Sequence, residues 1–312
     1  MWTKKFNQLS KKDIAIAGGK GASLGEMIKA GFLVPSGFVV LAAAFDRFLE
    51  ETDLNVEVSA ILKKVNYKDI NSVDKASNQI RDLIADANFP KDIGEEIKKE
   101  FRKLGAKFVA VRSSATAEDS SVASWAGELE SYLNVDEAGL LAAVKKCWSS
   151  LFTPRAIFYR FEKNLHDQKV LVAVVVQAMI QSEVAGIAFT VHPVTEDRNQ
   201  MVIEAGYGLG EAIVGGRITP DTYIIVKDSF KILDKNISSQ KIKIVRGRTG
   251  TKEVATGKGA QERQKLSDSK IIELAKICRK IERHYGQPQD IEWAWLKNKF
   301  YILQSRPITT LK

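Results

Sequence analysis

The residues best placed to do chemistry lie near the C-terminal end. Gln289-Asp290-Ile291-Glu292-Trp293-Ala294-Trp295 and Tyr301-Ile302-Leu303-Gln304-Ser305-Arg306-Pro307 are two strand-like runs flanking Lys297-Asn298-Lys299, which reads as a hairpin. Partners across a hairpin point to the same face. A loop with an odd residue count centred on Asn298 places Glu292 opposite Gln304 and Asp290 opposite Arg306. A two-residue turn is expected to pair Glu292 with Ser305 instead and to lose the site. In the first register a carboxylate, an amide oxygen and a guanidinium converge. Oxygen ligands suit Mg²⁺ and a guanidinium fork suits phosphate, so this face could hold a metal-bound nucleoside triphosphate. The competing reading is an edge hairpin with a solvated polar face.

Three further stretches could meet an anionic ligand. Gly18-Gly19-Lys20-Gly21 precedes a helix start, where backbone amides attract anions and Lys20 adds charge. Arg112-Ser113-Ser114-Ala115-Thr116 opens a long loop, Arg112 to Gly127, that follows a buried strand and includes Ser124. Its hydroxyls and amides can form an anion nest, with Arg112 as a bidentate clamp. Val176-Gln177-Ala178-Met179-Ile180 ends a strand where an adenine could meet the backbone, Met179 packing on its ring, with Glu183 within reach of ribose hydroxyls. Each also reads as ordinary structure: a glycine turn, a surface loop, a buried strand end.

Other chemistries find no anchor. Walker A spacing and the Gly-x-Ser-x-Gly elbow are both missing. Gly206-Tyr207-Gly208-Leu209-Gly210 is GxGxG rather than the dinucleotide GxGxxG. A tight turn or close backbone approach is the better reading, with Glu204 and Glu211 as flanking carboxylates. His166, His192 and His284 have no zinc spacing and read as structural or exposed.

The elements that must position these residues follow from pattern and composition. The 312 residues, 45% hydrophobic and 27% charged, suit a globular chain of two lobes with ample core. The net charge of +9 comes from scattered Lys and Arg with few aromatics between them, which suits an anionic nucleotide better than nucleic acid. No apolar run approaches the roughly 20 residues of a membrane span, and the N-terminus has no apolar signal core. Cys147 and Cys278 read as buried free thiols of a reducing cytoplasm. A short helix is expected over about 22–29 and strands at 38–41 and 108–111. Helix is expected through much of 43–104 and 137–163, and a fully buried central strand from Val170 to Met179. A last helix starts after Ser267 as N-cap and stops at Gly286. This mixture predicts two α+β lobes enclosing a cleft, residues 1–178 with the phosphate-covering loop and 179–312 with the metal-binding hairpin.

Five motifs occur in order: Gly18-Gly19-Lys20-Gly21-Ala22-Ser23-Leu24, Val111-Arg112-Ser113-Ser114-Ala115-Thr116, Ala185-Gly186-Ile187-Ala188-Phe189-Thr190, Gly206-Tyr207-Gly208-Leu209-Gly210-Glu211, and Asp290-Ile291-Glu292-Trp293-Ala294 with Gln304-Ser305-Arg306-Pro307. Over essentially its whole length the chain resembles the N-terminal ATP-binding domain of phosphoenolpyruvate synthase and pyruvate phosphate dikinase, a domain that rifampicin phosphotransferase shares. The resemblance implies an ATP-grasp fold. It implies that Lys20 and Arg112 hold phosphates under the loop containing Ser113, Thr116, Ser124 and Gly127. Gln177 and Met179 would border adenine, and Glu183 would lie near ribose. Glu292 and Gln304 would carry Mg²⁺, and Arg306 would stabilise the transferred phosphoryl group.

The resemblance also implies a reaction: ATP, pyruvate and water give phosphoenolpyruvate, AMP and phosphate through a phosphohistidine. That histidine sits in a Gly-rich setting which none of the three histidines here has. The expectation is therefore a module that needs a histidine domain, in cis of a longer parent or in trans, and an acceptor domain for pyruvate. A rifampicin phosphotransferase-like module and a non-catalytic nucleotide-binding regulator are the alternatives. Glu128 stands where the family usually has glutamine, and its charge is expected either to repel phosphate or to face away.

Overall fold

The structure, a computed structural model, describes residues 1–116, 119–120, 123–124, 130–163, 170–309 and 311, with only the backbone at 119–120 and 123–124. Gly127, Glu128 and His166, and the side chain of Ser124, lie outside the described residues. The chain divides into two compact units, one formed by Met1–Glu26 with Ser36–Met179, the other by Met27–Pro35 with Ile180–Lys312. Both mix helix and antiparallel sheet, so the fold class is α+β.

The first unit is built on strands β1 (Thr3–Lys5), β2 (Gly37–Val40), β3 (Val109–Ala115), β6 (Ser131–Val135) and β7 (Val172–Ala178), in the order β1-β2-β7-β3-β6. The two-residue strands β4 (Asp119–Ser120) and β5 (Ala123–Ser124) pair with each other. Helices α2 (Ala42–Glu51), α3 (Leu54–Leu62), α4 (Ile70–Asp86), α5 (Lys91–Leu104), α6 (Leu140–Ser149) and α7 (Pro154–Glu162) supply the other layer of the core. β7 is the central strand, and its run of valines is buried throughout, as a strand covered on both faces requires. Trp148 anchors the helical side, with ring centroids 5.1–5.4 Å from Phe45, Phe48 and Phe89. Cys147 and Cys278 are both free and buried, and burial pushes the Cys147 thiol up to about 12.

Helix α1 (Ile14–Lys29) is longer than the 22–29 segment the sequence suggested, because a first turn precedes a break at Gly18. Strand β3 likewise runs past Val111 to Ala115, so Arg112 lies on a strand rather than in the loop. The pairing of Ser113 with Val174 and of Ala115 with Val172 on β7 extends it.

The second unit has six strands in the order β11-β10-β9-β8-β14-β15. They are β8 (Val184–Phe189), β9 (Gln200–Tyr207), β10 (Asp221–Val226), β11 (Ile232–Asn236), β14 (Gln289–Leu296) and β15 (Lys299–Pro307). Strands β12 (Ile242–Arg246) and β13 (Thr251–Ala255) form a separate hairpin, and α8 (Glu211–Val214) follows β9. Helix α9 (Asp268–Tyr285) packs its Ile271, Leu274, Ala275, Cys278 and Ile281 stripe into the core against β14 and β9. Gly286 ends it in the left-handed conformation. Ser267 occupies the N-cap position without a capping side-chain bond, since its hydroxyl meets that of Ser269. No described helix is long and apolar enough to cross a membrane.

Candidate functional site

In the second unit, strand alternation puts Asp290, Glu292, Gln304 and Arg306 of β14 and β15 on the face opposite Ile291, Trp293 and Ile302, which are buried. Glu292 pairs with Gln304 and Asp290 with Arg306. The turn differs from the odd-length loop anticipated. It has two residues, Lys297 and Asn298, both at positive φ (47° and 62°), the form that matches strand twist. From Leu296↔Lys299 the ladder proceeds to Trp293↔Ile302, then shifts register before Glu292↔Gln304. Leu303 is the extra residue of a β-bulge, and it restores the pairing that the turn alone would forfeit.

The sheet widens this row. Glu292 pairs with Ile187 of β8, and Ile187 with Glu204 of β9, so Glu204 shares the face of Glu292 and Gln304. From the sequence alone Glu204 is only a flank of the glycine stretch. Burial raises the Glu204 carboxyl above its ordinary pKa, and the charge of Asp290 raises it further. Burial raises Asp290 too; Arg306 pulls it back and Glu292 pushes it up. Arg306 donates from Nε and Nη2 to one Asp290 oxygen, at 2.9 and 2.7 Å. The pair fixes the plane of the guanidinium. Gln304 is 5% exposed, and its side-chain oxygen accepts no hydrogen bond among the described residues. A buried amide oxygen without a donor, beside a carboxylate, is the donor set of a hard cation.

Among the described residues no three His, Cys, Asp or Glu side chains form a ready cage for a metal. Mg²⁺ does not need one, because it binds through one or two protein oxygens and completes its shell with water and phosphate. Glu292 and Gln304 fit that requirement.

Glu183 sits one residue before β8, at the level of the hairpin turn, and accepts from the Lys297 amide at 3.1 Å. About four residues, or ~13 Å of strand, separate it from the Glu292 row. Gly208 has φ 87°, and a Cβ there would come within 2.4 Å of the Ile244 carbonyl. Its amide donates to Glu183 O and that of Leu209 to Ile244 O. With these donors engaged, the glycine stretch is a tight turn. Gln240 braces it by bonding Tyr207 through both N–H and C=O, at 2.8 and 2.9 Å.

In the first unit, Ala110, Arg112 and Ser114 alternate onto one face of β3. Gln177, opposite Ala110, shares that face. Ser114, which sequence reading had not singled out, ties β3 to the Gly18–Gly21 turn. Its hydroxyl donates to Ala17 O at 2.9 Å and accepts from the Gly21 amide at 3.3 Å. Gly18 has φ 67°, and a Cβ there would lie 2.2 Å from Ser114 Oγ. Only glycine lets helix and strand approach so closely, and Lys20 enters the helix just after the break.

Ser113 departs from its expected role, because it faces the interior. Its amide and hydroxyl both donate to Glu130 O, and the hydroxyl also meets Cys147 O and Ser150 Oγ. Thr116 donates through both amide and hydroxyl to Leu171 O. These two residues pin the roots of the loop. The amides of Ala178 and Met179 are engaged with Ser36 O and Phe108 O. His192 accepts from the Val194 and Thr195 amides, a structural turn as anticipated.

The sequence profile of the pyruvate phosphate dikinase AMP/ATP-binding domain matches residues 14–312. The chain belongs to that family. A probable phosphoenolpyruvate synthase of Methanocaldococcus jannaschii is 48% identical over 98% of this chain and 26% of its own length. The phosphoenolpyruvate synthase of Pyrococcus furiosus is 42% identical over 99% of this chain and 44% of its own. The rifampicin phosphotransferase of Bacillus subtilis is 38% identical over 98% and 36%. The chain thus spans less than half the length of these relatives. It is a phosphoenolpyruvate synthase-like nucleotide-binding domain, and the Glu204–Glu292–Gln304 row with the Asp290–Arg306 pair is the candidate site of its second unit.

Proposed function

We propose that this chain is the Mg²⁺-ATP-binding phosphotransferase module of a phosphoenolpyruvate synthase-type enzyme, with an ATP-grasp fold. Lys20 and Arg112 bind phosphate, Gln177 and Met179 border the base, and Glu183 takes the ribose. Glu292 and Gln304 hold Mg²⁺, which when bound neutralises phosphate oxygens and fixes their geometry. Arg306, its plane held by Asp290, places positive charge where the transferred group accumulates negative charge. The phosphoryl group passes to a histidine of another domain, in cis or in trans, and finally to pyruvate, with one water consumed and AMP and phosphate as the other products.

The observation that carries this reading is the orphan oxygen of buried Gln304 paired with Glu292, two residues from the Asp290–Arg306 pair. Calorimetric titration of ATP, with and without Mg²⁺, tests it. Binding that strengthens with Mg²⁺ is expected. Binding indifferent to the metal would remove the role given to Glu292 and Gln304.

A further inference from the structure

A cavity of about 550 Å³ opens in the second unit, away from the polar sheet face. Its floor is apolar: Phe300 and Ile302 of β15 are almost fully buried, and Ile277 of α9 lies beside them. Phe32 forms one wall, its ring edge-on to His284 with centroids 6.3 Å apart. The turn after α1 is held there, because the Ile302 amide donates to Leu33 O at 2.9 Å. At the rim stand Lys280 and Arg283, one helical turn apart and exposed to solvent.

Most charges of α9 are matched. Arg279 pairs with Glu282 and Asp228, and Lys270 with Glu273. Lys280 and Arg283 make no ion pair among the described residues, and no acidic residue lines the cavity. Placement in the last turn of a helix accounts for basic residues in general. It does not account for an apolar cavity beneath them. The volume lies within the range of small-molecule sites, which combine an apolar lining with a few convergent polar groups.

We infer that this cavity is a second ligand site, taking a small organic anion: an apolar, preferably aromatic, body on Ile277, Phe300 and Ile302, with its carboxylate, sulfonate or phosphate between Lys280 and Arg283. The proposal does not depend on the nucleotide reading, since every residue it uses lies outside the Glu292 row.

The test is fluorescence titration of the full chain with anilinonaphthalene sulfonate, alongside its uncharged analogue phenylnaphthylamine. One saturable site for the sulfonate is expected in the unmodified chain. The double variant Lys280→Ala/Arg283→Ala should weaken the sulfonate about fivefold or more, two exposed charges acting together, and leave the uncharged probe within about twofold. Leu33→Glu, at a position 48% exposed, should abolish sulfonate binding by placing a carboxylate at the mouth. Thermal midpoints of all variants check that folding is retained. The proposal is overturned if no saturable binding occurs, if the double variant binds the sulfonate unchanged, or if it loses both probes equally.

Discussion

Replacing Gln304 with Met separates a structural role from a metal-binding one by the sign of its effect. The two side chains are similar in length and in rotamer entropy lost on folding, so the main change is loss of the amide. In the metal-free chain that amide's oxygen is buried and accepts no hydrogen bond among the described residues. Leaving such a group unsatisfied costs about 1–3 kcal/mol. Met removes that cost while keeping most of the packing, so the variant should be more stable by roughly 1–2 kcal/mol in chelator. For a unit of this size that is a rise of about 3–6 °C in the thermal midpoint. Calorimetry on the same variant should show ATP binding that no longer responds to Mg²⁺. The assay pair is thermal unfolding in chelator and ATP titration with and without Mg²⁺. A variant less stable than the parent by more than about 1 kcal/mol would mean that the amide is satisfied in the parent. Undiminished Mg²⁺ dependence would refute the ligand role outright.

Four other outcomes are expected. Arg306→Ala should spare ATP affinity yet abolish phosphoryl transfer to a supplied histidine domain; transfer that survives removes the transition-state role. Gly18→Ala should destabilise the first unit by about 3 kcal/mol or more, because its Cβ meets both hydroxyl and backbone of Ser114, and denaturant unfolding measures it. Lys297→Asn/Asn298→Gly should stabilise the hairpin by about 1 kcal/mol without shifting register, since both positions are left-handed; a loss of stability would count against the two-residue turn. The last concerns pH. Glu204 and Asp290 have folded-state pKa values raised above their unfolded values. Their contribution to stability is therefore present below the unfolded values and lost as pH rises through the folded ones. A bound cation favours the charged forms, so Mg²⁺-dependent stabilisation should grow with pH and shrink on acidification before the usual carboxylate range near ~4 is reached. Midpoints with and without Mg²⁺-ATP across that window would show it, and a flat difference would count against it.

Much of the candidate site was legible because a hairpin is local. Alternation of period two put Asp290 and Glu292 on one face, and the matching run put Gln304 and Arg306 on the same face. The pairing itself comes not from an odd-length loop but from a two-residue turn with a bulge at Leu303. A bulge at Leu303 depends on how Trp293 and Ile302 seat in the core while Glu292 and Gln304 stay on the polar face, and no short window contains that balance. The inward turn of Ser113 was hidden for a similar reason. Arg112-Ser113-Ser114 reads as hydroxyl-rich loop until β7 pairs alongside it and alternation assigns each serine a side.

By itself the sequence determined the family, the α+β class and the buried central strand with its valine run, and it named the candidates for binding phosphate and metal. These follow from residue type, short-range periodicity and ordered motifs. Tertiary structure decided which of them meet. Glu204 joins Glu292 only because β8 lies between β9 and β14 and pairs with both. Gly18 must be glycine because Ser114, nearly a hundred residues on, stands where a Cβ would be. Strand order and close approach are minimised over the whole unit, so no stretch of chain encodes them alone.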